Sequence, residues 1–217
     1  VEEIQALLEG SNGALDKIIA YASDSLLNPA PTLADYTATG ITAGSGAVAI
    51  NVNNLASINA SVAKLNGPDV NSRSKLRNVV QAYNLILDAA DGATGDASGN
   101  ALQASHYATI GVNLASLARS SANSAIDVDK LALFNSVVGA QNKVGVSTPE
   151  RLESLAATVS DLIRLARESA DDPLSAQKDS TLSLARLQTL GLGAITNEAT
   201  RSACLLYTSD AADEGLG

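Results

Sequence analysis

The residues of this chain that could do chemistry are a set of serine–lysine pairs, one histidine and a cluster of acidic side chains. Ser61-x-x-Lys64, Ser72-x-x-Lys75 and Ser175-x-x-Lys178 have the spacing that puts an amine one helical turn from a hydroxyl, as in a Ser–Lys nucleophile. Three occurrences in a serine-rich chain, without the companion motifs of such a site, read as coincidence. His106 is the single histidine. Acid–base and zinc sites need further ligands or an orienting partner, so His106, beside Tyr107 on a short helix, reads as a structural or surface residue. Gly44-x-Gly46-x-x-Ala49 fits a dinucleotide loop superficially, but no strand is expected before it. Asp88, Asp91, Asp96 and Asn100 supply the hard oxygen donors that calcium accepts. Their spacing is not that of an EF-hand, and the glycines among them explain a solvated turn equally well. No constellation positions an acid, a base and a nucleophile together. The expectation is therefore no enzyme, no catalytic residue, no cofactor and no metal ligand.

What positions these residues is a repeated phrase. Leu33-Ala34-Asp35-Tyr36-Thr37-Ala38-Thr39-Gly40-Ile41 returns as Ala104 to Val112, with Tyr107 and Gly111 in the tyrosine and glycine places. It returns again as Leu184 to Leu192, with Leu187 and Gly191 there. The steps of roughly 70–80 residues suit a small helical module. Each phrase reads as a short helix closed by glycine, which tolerates the left-handed conformation at a helix end. Tyr36 and Tyr107 are expected to pack flat against a long helix with their hydroxyls at the rim.

Around the phrase the order is long helix, linker, short helix, medium helix. Ile4, Leu7, Leu8, Leu15, Ile18 and Ile19 mark one face of a helix from Glu2 to about Ala22, weakened by Gly10 and Gly13. Thr32 and Asp35 form a capping-box start for the first short helix. Residues 42–50 carry no signal. Asn51 or Asn53 caps a medium helix with Leu55, Ile58, Val62 and Leu65, ended by Gly67-Pro68. The pattern restarts with Leu76, Val79, Val80, Tyr83, Ile86, Leu87 and Ala90. Residues 113–120 add an extra turn. Asp127 or Asp129 then caps a helix with Leu131, Phe134, Val137 and Val138. Its Lys130-Leu131-Ala132-x-Phe134-Asn135 parallels Asn54-Leu55-Ala56-x-Ile58-Asn59, so Asn59 and Asn135 are equivalent and suited to bonding a backbone group near a neighbouring helix end. The third long helix opens at Thr148-Pro149-Glu150, a good cap followed by proline at the first helical position. Leu152, Leu155, Ala156, Val159, Leu162, Ile163 and Ala166 continue it to Asp171-Asp172-Pro173.

No stretch shows sustained strand alternation, so the fold class is all-α: tandem three-helix modules over residues 1–70, 71–146 and, truncated, 147–203. Units of about 70 residues are marginal alone. They either form beads whose long helices touch their neighbours, the favoured packing, or share a core as solenoids do.

The chain has 217 residues, 46% of them hydrophobic, with one Phe, five Tyr and no Trp or Met. Small aliphatic side chains suit close-packed helices better than a roomy pocket. A net charge of −9 and the lack of a basic cluster argue against nucleic acid, and no apolar run reaches the ~18 residues of a membrane span. Val1 stands where an initiator methionine is expected, pointing to a missing N-terminus. Residues 204–217 are set apart: Cys204-Leu205-Leu206-Tyr207-Thr208-Ser209-Asp210-Ala211-Ala212-Asp213-Glu214 reads as a translated sequencing adapter. Without that tail the chain is cysteine-free with a charge of about −6.

Glu3-Ile4-Gln5-Ala6-Leu7-Leu8, Leu33-Ala34-Asp35-Tyr36 with Gly40-Ile41-Thr42, and Asn54-Leu55-Ala56-Ser57-Ile58-Asn59-Ala60 together resemble the alanine-rich helical repeats of giant bacterial surface adhesins and related secreted repeat proteins. The resemblance implies spacer modules that project an adhesive tip and bind little themselves. It places the chain outside the cell or on a bacterial surface, with neighbouring repeats as its partners. The alternative is a binding module, in which one helix face meets an extracellular host or matrix protein and leaves an apolar patch of several hundred Å² exposed.

Overall fold

A computed structural model describes residues 2–92, 102–120, 123–171 and 183–190. The fold is mostly helical, as the periodicities require. Its helices are α1 (Glu2–Ser23), α2 (Leu33–Ala38), α3 (Leu55–Lys64), α4 (Arg73–Ala89), α5 (Ala104–Thr109), α6 (Val128–Ala140), α7 (Pro149–Asp171) and α8 (Leu184–Thr189).

The ends of these helices follow their sequence signals. Thr32 caps α2: its hydroxyl accepts from the Asp35 amide while Asp35 accepts from the Thr32 amide at 2.9 Å. Ser72 caps α4, and Thr148 accepts from the Arg151 amide at the start of α7. Asp127 caps α6, accepting from the amides of Asp129 and Lys130. α3 departs from the expected cap at Asn51 or Asn53: its N-cap is Asn54, without a side-chain capping bond, and Asn51 only closes the turn ahead of it by accepting from the Asn53 amide. Gly40 and Gly111 close α2 and α5 with φ of 86° and 81°, and the next amide, of Ile41 or Val112, returns to the tyrosine carbonyl.

Two small ladders depart from the strand-free expectation. β1 (Thr42–Ala43) pairs in parallel with β2 (Ala49–Ile50), and β3 (Ala118–Ser120) pairs antiparallel with β4 (Asn123–Ile126). Both lie in the connection from a short helix to a medium one. Strands of two to four residues are too short to leave a period in sequence. The extra turn expected at 113–120 is a 3₁₀ turn at Ala115–Leu117 followed by β3.

Buried apolar side chains from Ile18 to Leu190 form one contiguous cluster, not one per unit. The long helices make it continuous. α4 packs on α3 and β2 behind it and on α5 and α6 ahead; α7 packs on α3, α6 and the Ala115–Leu117 turn behind it and on α8 ahead. Of the two packings the sequence leaves open, the described residues show the shared core, because stripes such as Leu76, Val79, Val80, Tyr83, Ile86 and Leu87 are too broad for one neighbour to cover.

Candidate functional site

The features that recur in this structure are side-chain ties between helices. Tyr36 is fully buried, and its hydroxyl donates to Asn59 Oδ1 at 2.7 Å. The Asn59 amide donates in turn to the Pro31 carbonyl, just ahead of α2, at 2.9 Å. In the second copy Tyr107 donates to Asn135 Oδ1 at 2.8 Å, and Asn135 donates to the Leu102 carbonyl at 2.8 Å. One asparagine thus satisfies both a buried phenol and a carbonyl at the start of the short helix, fixing medium helix against short helix. The hydroxyls sit inside, not at the rim where the sequence alone places them. Burial pushes both phenols far above the ordinary tyrosine range, with smaller contributions at Tyr36 from Tyr21 and Asp35, which favours their neutral, hydrogen-donating form. The Tyr107 ring also meets Phe134 with centroids 5.1 Å apart. In the third copy Leu187 fills the tyrosine place, buried and without a hydroxyl; Gly191 lies outside the described residues.

A second set of ties binds α4 to the unit before it. Asn84 on α4 donates to the carbonyls of Ala49 (2.8 Å), Ala47 (3.2 Å) and Gly46 (3.3 Å), and accepts from the Asn54 amide at 2.8 Å. Asn54 also donates to Ala49 and accepts from the Asn51 amide. These groups floor a hollow of about 200 Å³ rimmed by Ser45, Asn53, Asp88 and Lys143. Tyr83, which the sequence marked only as core, donates from its buried hydroxyl to the Val146 carbonyl at 3.1 Å and so holds the connection from α6 to α7. Nothing local signals either tie, since each partner lies tens of residues away.

The sequence candidates are accounted for by this network. Ser61 is buried and donates to the Ile110 carbonyl at 2.9 Å, while Lys64 turns away to Glu153 (3.1 Å) and Glu150 (3.5 Å). Ser72 is a cap, and Lys75 donates to the Pro68 carbonyl. In neither of these two described pairs does the serine hydroxyl bond the lysine ammonium. Ser175 and Lys178 lie outside the described residues. His106 Nδ1 accepts from the Gln103 amide at 3.1 Å, a local closure of the first turn of α5. The Gly44–Ala49 loop directs the carbonyls of Gly44, Gly46, Ala47 and Ala49 to asparagine amides, the opposite of a phosphate cradle, which presents amide N–H groups. Asp88 is paired with Lys143 at 3.6 Å. Asp96 and Asn100, the other half of the calcium proposal, lie outside the described residues, as does the 204–217 tail. Among the described residues no three His, Cys, Asp or Glu side chains gather in a way that could hold a metal ion. Nor, among them, is any helix long and apolar enough to cross a membrane.

One apolar hollow of about 510 Å³ lies beside α5, lined chiefly by Ala104, Ala108, Val112, Leu114, Ala118 and Ile126. Compared with known proteins, the chain matches no family model, no curated protein and no solved structure.

Proposed function

We propose that this chain is a run of structural spacer repeats from a secreted or cell-surface bacterial protein of the adhesin type, with no catalysis of its own. The modules are residues 1–70, 71–146 and 147–203; the first two each hold a long, a short and a medium helix, and the described part of the third holds a long and a short one. The observation that carries this reading is the tyrosine–asparagine–carbonyl tie, formed at matching places in two copies and joined through long helices that serve both neighbours. A repeat whose long helix is half of the next unit's core makes length by addition and resists bending at the junctions.

The test is an array with one more copy of residues 71–146 placed between residues 146 and 147. Small-angle scattering should show a longest dimension that grows by one module while the denaturation curve stays single and cooperative. A collapsed or aggregated product, or an unchanged dimension, sinks the spacer reading.

The hollow beside α5 favours a second reading, a binding module whose short-helix face receives an apolar segment of an extracellular protein. Ala108→Arg would close that hollow and abolish such binding without disturbing the tyrosine tie.

A further inference from the structure

Three long helices carry nearly the same apolar stripe, and three short helices carry nearly the same phrase. Such copies are interchangeable by shape, which makes partner exchange the characteristic folding error of repeat chains. The ion pairs between them are not interchangeable. Aligned on their core-facing positions, the buried Ala14, Ala82 and Thr158 correspond, as do the buried Ile18 and Ile86 with the partly buried Leu162. Lys17, Leu85 and Asp161 then stand at one place on α1, α4 and α7. On the short helices the third residue of the phrase is Asp35, His106 and Arg186. Lys17 pairs with Asp35 at 3.0 Å, and Asp161 pairs with Arg186 at 2.6 Å, with the charges reversed. Arg186 Nε also donates to the Thr158 hydroxyl at 3.3 Å. The middle helix has Leu85, half-buried against the core, where the others have a charge.

We propose that this position is a pairing code that keeps each short helix on its own long helix. Moving α8 onto α1 sets Arg186 against Lys17, and moving α2 onto α7 sets Asp35 against Asp161; both are like-charged. Moving either charged short helix onto α4 sets its charge over a leucine. Part-exposed ion pairs add little to stability. Their effect is on the difference between right and wrong pairings, where attraction in one becomes repulsion in the other. The inference rests on the repeat reading, and its failure is distinguishable: inserting a module tests the repeat, whereas the experiment below leaves the number of modules unchanged.

The full chain carrying Asp161→Lys with Arg186→Asp keeps an ion pair in the third copy but gives it the same sign order as the first. After dilution from urea at micromolar concentration, the fraction of mispaired dimer, in which a short helix of one chain sits on the wrong long helix of another, should rise several-fold over the parent, read by light scattering on a sizing column. The monomer's urea midpoint should stay close to the parent's. Asp161→Glu with Arg186→Lys keeps the sign order and should refold as the parent does. Equal dimer fractions in all three chains would overturn the proposal, and so would an equal rise in the sign-preserving control.

Discussion

Asn135 stands between the Tyr107 hydroxyl and the Leu102 carbonyl, bonded to each at 2.8 Å, and only 3% of its surface is exposed. Asn59 makes the same two bonds in the first copy but is only partly buried. Asn135→Ala strands a buried donor and a buried acceptor together, each costing about 1–3 kcal/mol, so the expected loss is about 2–6 kcal/mol in a urea titration. Asn59→Ala should cost less, because water can reach the groups it leaves. A double-mutant cycle of Tyr107→Phe with Asn135→Ala should show a coupling well above zero; additive costs would mean that the bond contributes nothing of its own.

How far the sequence discloses this arrangement depends on the range of each interaction. Thr32 with Asp35, Thr148 with Pro149 and glycine after Thr39 or Ile110 act within a few residues, so residue type alone places the helix ends. The equivalence of Asn59 and Asn135 is also legible, because the helices around them repeat. What the asparagines hold is not, since Pro31 and Leu102 carry their bonding in the backbone. Asn84 illustrates the same limit: its acceptors are three carbonyls of an unpatterned loop. The continuity of the core is hidden for another reason. A wide apolar stripe says that a helix is covered on two sides and is silent on whether the second cover is its own unit or the next.

Glu153 on α7 gathers α3 and the segment after α5 at one point. Its Oε2 takes the Lys64 ammonium from α3 and its Oε1 takes the Asn113 amide at 2.8 Å, while Glu150 adds a second carboxylate to Lys64. The bond to Glu153 raises Lys64 above the usual lysine range against the opposing effect of desolvation. Desolvation would raise Glu150, but its own backbone amide, the Thr148 hydroxyl and Lys64 outweigh it and leave Glu150 below the usual carboxylate range. A depressed carboxyl contributes stability above its unfolded value and loses it as pH falls through the folded one. A raised lysine contributes below its unfolded value and loses the contribution as pH rises through the folded one. Stability in the parent should therefore fall at both the acid and the strongly alkaline end. Lys64→Met should flatten the alkaline limb and reduce the dependence on added salt, at a cost under about 1 kcal/mol near neutrality. An unchanged dependence on added salt would show that the cluster is idle, since the buried phenols also shape the alkaline limb.

Glycine carries opposite signs in different places. Gly10 and Gly13 lie inside α1, and a Cβ on either meets nothing within 4 Å. Alanine at each should stabilise by roughly 0.5–1 kcal/mol, because glycine in a helix interior loses more backbone freedom on folding. Gly40 and Gly111 are left-handed, and their added Cβ atoms would stand 2.7 Å from Arg73 Cζ and 3.0 Å from Lys64 Cγ. Alanine there should lower the thermal midpoint. At Gly40 it should also loosen the bond from Arg73 Nη2 to the Gly40 carbonyl, now 2.7 Å. Circular dichroism melts of the four single variants check the contrast; four shifts of one sign would refute it.

The phenols offer a direct optical readout of the shared core. Tyr36, Tyr83 and Tyr107 are fully buried, and each is raised chiefly by that burial, although Tyr83 has the Glu150 charge as a further cause. Ionising Tyr36 or Tyr107 in place would put a phenolate among apolar side chains against an accepting Asn Oδ1, and ionising Tyr83 would set one against the Val146 carbonyl, with the Ser57 hydroxyl alone favouring the charged form. Their absorbance change at 295 nm should therefore be withheld past the ordinary tyrosine range and arrive in one step, together with the loss of helical ellipticity, because the cluster that buries them is continuous. Tyr83→Phe should reduce that late step by about a third and leave its midpoint in pH nearly where it was. Three separate late transitions would mean that the units open one at a time and that the core is shared in contact but not in stability.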